Sequence, residues 1–198
     1  MQPLVWLVRH GPTEWSQNGR HTSRTDLDLT PEGEEEAKAL AGVFAGFGVD
    51  QVLSSPRFRA RRTAELAGLS GLTPGGIEIC DDLQEWDYGQ LEGLTTAQIR
   101  ESWPDWSIWD GPWPGGESAG DVAARADRLI SRLVSPETGP ERIVLVGHGH
   151  FSRVIGARWV GEPVQSGRWL ELDTASWSWL GWDRGVRVLR RWNVPAGR

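Results

Sequence analysis

Cysteine, lysine, tyrosine and methionine are almost absent from this chain, which has one of each in 198 residues. The single cysteine, Cys80, excludes an intramolecular disulfide and a zinc site built from several cysteines. Long apolar runs are also lacking, since the stretch at residues 4–8 is too short for an export signal or a membrane span. We therefore expect a cytoplasmic protein without membrane association.

Positive charge is scarce as well. Lysine and arginine total 21 against 27 aspartates and glutamates, so the net charge is −6. Nucleic-acid binders usually carry a basic surplus, so we expect no nucleic-acid partner. The hydrophobic share of 38% and the charged share of 24% are typical of a globular protein. The length fits one domain, which we place at residues 1–198.

The hydrophobic pattern alternates strands with helices. Strands are predicted at residues 4–8, 51–53, 77–80 and 143–146, and helices at 31–46, 55–67, 95–101, 118–134 and 151–160. Three later strands are predicted at 169–172, 175–182 and 186–192, with a turn at 183–185. This order predicts an α/β fold with a mostly parallel central sheet flanked by helices and a late antiparallel portion. The segment 102–117, rich in tryptophan, proline and glycine, is predicted to be a loop or lid insert.

Two histidines lie just beyond the ends of predicted strands, His10 after the first and His148 after the fourth, and a glycine follows each of them. In an open α/β sheet, ligands bind beyond the carboxyl ends of the strands. Arg9 precedes His10, and Arg59 belongs to an arginine cluster that follows the second strand. Guanidinium groups match phosphate oxygens with paired hydrogen bonds, so this edge of the sheet is predicted to bind phosphate.

The same residues suggest how a phosphate ester would react. A neutral imidazole is a competent nucleophile toward phosphorus, and nearby arginines favour its neutral form. Glu85 follows the third predicted strand, and a carboxylic acid beside a phosphate dianion keeps its proton, which suits a general acid. No metal site is indicated, because His148 and His150 lack a third ligand in a suitable pattern.

A series of motifs along nearly the whole chain resembles the histidine phosphatase superfamily, which has the phosphoglycerate-mutase-like fold. They are LVRHGPTEW at 7–15, LTPEG at 29–33, SSPRFRARRTAE at 54–65, LQEWDYG at 83–89, GGES at 115–118 and VLVGHG at 144–149. The resemblance implies a three-layer sandwich and a metal-independent phosphomonoesterase that acts through a phosphohistidine and needs no cofactor. It is nearest to a branch of acid phosphatases and sugar-bisphosphatase-like enzymes.

The resemblance also implies a role for each matched residue. His10 is expected to be the phosphorylated nucleophile and Glu85 the proton donor, with Arg9, Arg59 and His148 holding the phosphoryl oxygens. Further contacts to phosphate or substrate are expected from Ser16, Thr22, Ser23, Tyr88 and Gly149. Ser16 stands where many relatives carry an asparagine, and its hydroxyl can still donate a hydrogen bond.

Several neighbouring residues allow two interpretations. Asp87 is the reserve candidate for the proton donor, and Arg24 is either a contact to a distal phosphate or a surface residue. His21 lies either in the pocket wall or on the surface, and His150 supports His148 or begins a helix. The tryptophans of the insert either stack on a leaving group or anchor the lid.

The main alternative function is a cofactor-dependent phosphoglycerate mutase. Such mutases resemble one another in a lysine after the acid loop and an arginine pair in the insert. Here Thr96 replaces that lysine, and residues 102–116 carry only the charges of Asp105 and Asp110. A mutase must hold a second anionic group while the first is exchanged, so we expect hydrolysis instead.

Two further alternatives are a non-catalytic protein on a degenerate phosphatase fold and an arginine-rich nucleic-acid binder. The first predicts loss of His10, Arg59, Glu85 or His148, all of which are present. The net charge opposes the second. We expect a small phosphate ester, such as a sugar phosphate, as the substrate, and a homodimer is one possible assembly.

Overall fold

A computed structural model describes residues 2–135 and 139–197 of the chain. It contains one six-stranded sheet, formed by β1 (Leu4–Arg9), β2 (Gln51–Ser54), β3 (Ile77–Ile79), β4 (Arg142–Gly147), β5 (Ser176–Asp183) and β6 (Val186–Pro195). The spatial order is β3-β2-β4-β1-β5-β6. The first four pair in parallel, and β5 and β6 add on in antiparallel fashion. The predicted fold class is therefore confirmed.

Seven α-helices accompany the sheet within the described ranges. They are α1 (Glu14–Gln17), α2 (Pro31–Ala39), α3 (Ala41–Phe44), α4 (Phe58–Leu66), α5 (Thr96–Ser102), α6 (Ala119–Leu133) and α7 (Gly149–Trp159). The start of α6 follows from its sequence, since Ser118 and Asp121 form a reciprocal capping box. No helix in these ranges is long and apolar enough to cross a membrane.

Strand β1 is buried on both faces, which gives the molecule three layers. Val5 and Leu7 belong to the core beneath α6 and α7, whereas Trp6 and Val8 belong to a second core on the opposite face. Successive side chains of a strand point to opposite faces, so a continuous apolar strand needs cover on both. The central strand ends are thereby fixed in position, and the site is built on them.

The predicted strand at 169–172 is wrong. A 3-10 turn occupies Val164–Trp169, and the following residues pair with side chains rather than with a neighbouring strand. The carbonyl of Leu172 accepts a hydrogen bond from Arg9, and that of Glu171 accepts one from Trp192. Side chains from distant parts of the chain therefore donate to the backbone carbonyls that would otherwise accept hydrogen bonds from a neighbouring strand.

One helix prediction needs a smaller correction, and the turn prediction is confirmed. The helix predicted from residue 31 to about 46 is broken at Leu40 into α2 and α3. The predicted turn at 183–185 is found between β5 and β6, where Arg184 and Gly185 have φ of 48° and 85°. Two consecutive positive φ values match the right-handed twist of a two-residue hairpin.

Candidate active site

The carboxyl ends of β1 and β4 lie side by side and bring the two predicted histidines together. Arg9 pairs in register with Gly147, so His10 and His148, the next residue on each strand, are neighbours. Their ring centroids are 5.2 Å apart. Both are buried, with His10 5% exposed and His148 fully covered. Adjacent parallel strands thus produce the pairing that was expected from strand ends alone.

The tautomer of His10 is set by its own backbone. Its Nδ1 lies 2.8 Å from the carbonyl oxygen of Gly11, which can only accept, so Nδ1 carries the proton. The lone pair is then on Nε2, and Arg59 Nε donates to that atom at 3.3 Å. Burial lowers the pKa of His10 well below its ordinary value, and the charges of Arg59 and Arg9 lower it further. The imidazole is therefore neutral, with its free electron pair facing a cation.

Arg59 is fixed by the loop that crosses in front of it. Its side chain is fully buried, with Nη1 donating to the carbonyl of Thr25 at 2.9 Å and Nη2 to that of Thr22 at 3.2 Å. Burial lowers the pKa of this guanidinium, whereas the charges of Glu85 and Asp26 raise it. A desolvated, immobile guanidinium beside a nucleophile is suited to holding an anionic phosphoryl group.

Arg9 approaches the site from the end of β1 and packs against the first residue of α7. It donates to the carbonyl of Leu172, and its Nε is buried without a partner among the described residues. A Cβ at Gly149 would lie 3.2 Å from the Arg9 guanidinium carbon. Glycine at position 149 therefore lets the start of α7 pass close to this arginine.

His148 is oriented by Ser55, which follows β2. The Ser55 hydroxyl accepts the backbone N–H of Arg57 at 3.3 Å and lies 2.7 Å from His148 Nε2. When that hydroxyl donates to Nε2, the imidazole proton resides on Nδ1, a buried atom with no partner among the described residues. Burial, with the charge of Arg59, lowers the pKa of His148 well below its ordinary value. A free donor thus lies next to His10.

Glu85 is held by the N-terminus of α7. Its Oε1 accepts the backbone N–H groups of Phe151 at 2.7 Å and Trp86 at 2.8 Å, and its Oε2 accepts that of His150 at 3.0 Å. Free N–H groups at a helix N-terminus attract carboxylates. Oε1 has two donors and Oε2 has one, which leaves Oε2 as the oxygen with spare capacity for a proton.

The loop that carries Glu85 is braced from behind by an ion pair that the sequence did not reveal. Arg125 on α6 donates to the carbonyls of Asp82, Gln84 and Glu85 at 2.6 to 3.3 Å. It also forms two hydrogen bonds to Glu117, at 2.9 and 2.7 Å. All the N–H groups of the guanidinium are therefore engaged, with the carbonyls of the loop and with Glu117.

The remaining predicted residues take different positions. Ser16, Thr22, Tyr88 and Gly149 line the cavity that contains His10 and Glu85. The Tyr88 hydroxyl is 2.7 Å from His150 Nδ1, and burial raises its pKa well above the ordinary value. Ser23 is outside the lining, because its hydroxyl and N–H both bind Glu92, while its carbonyl accepts from Arg59. Ser23 therefore reaches the site through its backbone.

The structure gives a position to each residue for which the sequence allowed two interpretations. His21 and His150 both line the cavity wall. Burial lowers the pKa of His21 to about 4, and burial also lowers that of His150 well below its ordinary value. Arg24 is 66% exposed in its side chain and forms an ion pair with Asp87. Neither Arg24 nor Asp87 is among the residues that line the cavity around His10.

The tryptophan-rich insert lies behind the cavity wall. Trp106 and Trp109 are 2% and 6% exposed. The Trp106 ring is 5.2 Å from that of His21, and the Trp109 ring is 5.5 Å from that of His150. These rings back the two histidines and do not themselves line the cavity.

Sequence reasoning missed other cavity residues, namely Thr13, Gly19, Arg20, Arg153 and Leu172. Arg153 was detectable in principle, since it lies three residues after His150, and both belong to α7. Leu172 comes from a segment distant in sequence that no local pattern links to the site. Among residues 2–135 and 139–197, no group of three histidine, cysteine, aspartate or glutamate side chains is arranged to hold a metal ion.

Comparison with known proteins adds independent information. The profile of a family described as "Histidine phosphatase superfamily (branch 1)" matches residues 5–195. An acid phosphatase from Mycobacterium tuberculosis is 43% identical over 92% of this chain and 88% of its own length. Sedoheptulose 1,7-bisphosphatase from Saccharomyces cerevisiae is 34% identical over 83% and 70% of the two chains.

A mutase and a protein of known structure are also similar to this chain. A 2,3-bisphosphoglycerate-dependent phosphoglycerate mutase from Sinorhizobium fredii is 35% identical over 77% of each chain. A solved structure of a Mycobacterium tuberculosis protein superposes with a TM-score of 0.90 at 39% identity, covering 98% of each chain.

Proposed function

This chain belongs to the histidine phosphatase superfamily and is a phosphomonoester hydrolase, and from that premise we propose how its residues act and on what. The first step is attack by the lone pair of His10 Nε2 on the phosphorus of a phosphate monoester. A phosphorus–nitrogen bond forms as the bond to the ester oxygen breaks. That oxygen takes a proton from Glu85 Oε2 and leaves as a neutral alcohol.

The second step returns the enzyme to its starting state. Water attacks the phosphohistidine, gives a proton to Glu85, and forms a bond to phosphorus as the bond to Nε2 breaks. Inorganic phosphate and neutral His10 result. The spare capacity of Oε2 suits it to both directions of proton transfer.

The charge that develops on the transferring phosphoryl group is balanced by fixed donors. Arg59 Nε already points at His10 Nε2, and Arg9 Nε and His148 Nδ1 are buried donors without partners among the described residues. Buried donors that wait for an acceptor need little rearrangement when the phosphoryl group arrives. Ser16, Thr22, Tyr88 and the N–H of Gly149 are proposed as further substrate contacts.

The substrate is proposed to be a small phosphorylated metabolite, such as a sugar phosphate. The cavity encloses about 160 Å³, which suits a small ester rather than a macromolecular segment. The acid phosphatase and bisphosphatase relatives are consistent with this class. We place the protein in the cytoplasm, treat residues 1–198 as one domain with an insert at 102–117, and retain phosphoglycerate mutase as the second candidate because mutases are also relatives.

The observation that carries the proposal is the fixed tautomer of His10, with Nδ1–H on Gly11 and Nε2 on Arg59. The test is to quench the enzyme during turnover of a labelled phosphate ester. We expect bound phosphate that is labile to acid and stable to alkali, and none on His10→Ala, whose activity should fall by several orders of magnitude. Phosphate found on serine or aspartate would contradict the mechanism, as would activity that disappears with a chelator and returns with zinc or magnesium.

A further inference from the structure

A second cavity, which we call the tryptophan cavity, lies on the face of the sheet opposite to α6 and α7. Its lining includes Trp6, Val43, Phe47, Trp177, Trp179 and Arg191. It encloses about 440 Å³, against about 160 Å³ for the cavity around His10, and the two cavities share no lining residue. Small-molecule sites typically enclose about 300–1,000 Å³ and have mostly apolar walls with a few polar groups. The tryptophan cavity is therefore large enough for a compound of two fused rings.

The walls of the tryptophan cavity are aromatic and flat. The rings of Trp6 and Trp179 are nearly parallel, with centroids 6.0 Å apart, and the ring of Phe47 meets Trp6 edge-on at 5.4 Å. Trp177 lies two residues from Trp179 and so shares its face of β5. Phe47 is 46% exposed, which leaves an aromatic ring of the lining partly uncovered. Aromatic rings pack favourably against other planar rings, so this surface suits a planar aromatic compound.

The polar side-chain groups of the tryptophan cavity are all hydrogen-bond donors. The Nε1 atoms of Trp177 and Trp179 are buried and have no acceptor in the described part of the chain. Buried polar groups almost always have a partner, so two neighbouring donors without one are unusual. Arg191 donates from Nη1 to the carbonyl of Arg190 at 2.9 Å and has no carboxylate partner among the described residues. No acidic side chain of those residues lines the cavity, which therefore has positive charge and lacks a side-chain acceptor.

We propose that the tryptophan cavity binds a planar aromatic compound that carries an anionic group, such as an aromatic carboxylate. Its ring packs against the tryptophans, and its anionic group binds the guanidinium of Arg191. A neutral aromatic compound would fill the same apolar space but would lack the charged hydrogen bond to Arg191. The site is separate from the proposed hydrolysis at His10, because the two cavities have no residue in common.

The test compares 2-naphthoate with 2-naphthamide, which has nearly the same size and no charge. By isothermal titration calorimetry we expect a Kd for 2-naphthoate below about 1 mM, which a modest affinity per heavy atom gives for a compound of this size. The amide should bind roughly 3- to 10-fold more weakly, as expected for the loss of a partly exposed charged contact. Excess inorganic phosphate at matched ionic strength competes for the arginines beside His10 and should leave the Kd of 2-naphthoate unchanged.

Nuclear magnetic resonance locates the bound probe. The indole N–H signals of Trp177 and Trp179 are assigned by their absence in Trp177→Phe and Trp179→Phe. Both signals should shift when 2-naphthoate is added to the wild-type protein, because an aromatic ring bound beside an indole changes its local magnetic field.

Matched variants separate binding from folding. A Cβ at Gly42, in the cavity lining, has no atom within 4 Å, so Gly42→Leu can fill the cavity and should abolish binding of 2-naphthoate. Gly71 is equally open but lies outside the lining, and Gly71→Leu should bind like the wild type. Arg191→Gln should reduce the affinity for the acid to that for the amide. Arg187→Gln alters the same strand at an arginine that lies over Trp159, 5.7 Å from the ring centroid, and should have no effect. All four variants should hydrolyse p-nitrophenyl phosphate at the wild-type rate.

Three outcomes would overturn the inference. They are an equal Kd for 2-naphthoate in the wild type and Gly42→Leu, unshifted indole signals of Trp177 and Trp179, and equal affinity of the wild type for the acid and the amide. If Gly42→Leu does not fold, Arg191→Gln decides, and an undiminished preference for the acid in that variant would contradict the site. Binding is measured directly, with circular dichroism to report folding, so failure of the proposed hydrolysis would leave this test intact.

Discussion

At the scale of single residues, the environments of His10 and Glu85 divide the chemistry between them. His10 is buried among arginines, which keeps its imidazole neutral, and its proton is tied to Gly11. Glu85 instead receives backbone N–H groups from the start of α7. In the proposed mechanism, the attacking electron pair belongs to Nε2 of His10 and the proton transfer passes through Oε2 of Glu85.

Replacing Glu85 by glutamine tests the assignment of the proton. Glu85→Gln keeps the size of the side chain but removes the transferable proton. The rate should fall roughly 10²- to 10⁴-fold on an alkyl phosphate, whose leaving alcohol needs that proton. The loss should be smaller on p-nitrophenyl phosphate, whose phenolate leaves without one. Steady-state rates on the two esters measure this, and equal losses would reduce Glu85 to a structural part. Asp87→Asn serves as the comparison variant.

The histidines also predict how stability depends on pH. Burial holds the pKa of His21 at about 4, against an ordinary value of 6.5. Above pH 6.5 this residue is neutral in both folded and unfolded chains and contributes nothing. As the pH falls from about 6.5 toward 4, the unfolded chain binds a proton that the folded chain refuses, so stability is lost, by up to about 3 kcal/mol.

Urea unfolding between pH 7 and pH 4 measures this dependence. Because the pKa values of His10, His148 and His150 are lowered as well, the wild-type protein should lose stability steeply over this interval. His21→Gln, which cannot titrate, should show a shallower slope than the wild type. Identical slopes for the two proteins would contradict the assigned pKa of His21.

At the scale of secondary-structure elements, the N-terminus of α7 and the loop before Trp86 together position Glu85. The helix supplies N–H groups to Glu85, and Arg125 of α6 holds three carbonyls of the loop. The same guanidinium lies over the ring of Phe151, 3.9 Å from the centroid. Arg125 thus connects the loop to the helix that binds its carboxylate, which makes it a positioning residue for Glu85.

Arg125→Met should misplace the proton donor without removing it. A displacement of about 1 Å in a catalytic group can cost roughly 100-fold, and we expect a loss of that order on an alkyl phosphate. The loss on p-nitrophenyl phosphate should be clearly smaller, because that ester depends little on Glu85. The ratio of the two rates is the readout, since a general loss of folded protein would lower both rates equally.

The matched control for this variant lies on the same helix. Arg128→Met removes an exposed arginine whose side chain is 61% accessible and which pairs with Asp82. It should leave the ratio unchanged, since exposed ion pairs contribute little. Arg125→Lys should recover part of the ratio, and a ratio equal to that of the wild type in Arg125→Met would contradict the positioning role.

At the scale of the whole molecule, segments that are distant in sequence meet at one edge of the six-stranded sheet, and together they form the cavity. His10, Glu85 and His148 come from widely separated parts of the chain, and Leu172 closes the wall from a fourth. The same architecture serves phosphatases and mutases among the relatives. The reaction outcome therefore depends on side chains around the cavity and not on the fold.

We expect the enzyme to hydrolyse 3-phosphoglycerate, if it accepts it, faster than it isomerises it. Thr96 stands where mutases resemble one another in having lysine, and it is hydrogen-bonded to His21 at 3.2 Å. Residues 102–116 of the insert contain no lysine or arginine that could bind a second anion, and Asp105 and Asp110 lie outside the cavity lining. With the bisphosphate primer present, released phosphate should exceed 2-phosphoglycerate in a coupled assay.

If the enzyme interconverts 3-phosphoglycerate and 2-phosphoglycerate many times faster than it releases phosphate, the expected hydrolysis is wrong and the mutase alternative takes its place. Thr96→Lys provides a further comparison. It should improve KM for a doubly anionic ester more than it increases isomerisation.

The sequence by itself determined the alternation of strands and helices, the motifs, and the positions of His10 and His148 at strand ends. These features are local: apolar runs, capping residues such as Ser118 and turn residues at 184–185 act within a few positions of the chain. Since parallel strands align their carboxyl ends, local pattern was enough to predict that the two histidines would meet.

Only the tertiary structure decided which atoms face each other. Ser23 turns toward Glu92, the predicted strand at 169–172 gives its carbonyls to side chains, and Arg153 enters the cavity wall. Each of these outcomes depends on hydrogen bonds between residues far apart in sequence, and no periodicity of the chain encodes them. Buried polar groups must find partners wherever the packed chain offers them, and those partners exist only once the layers have come together.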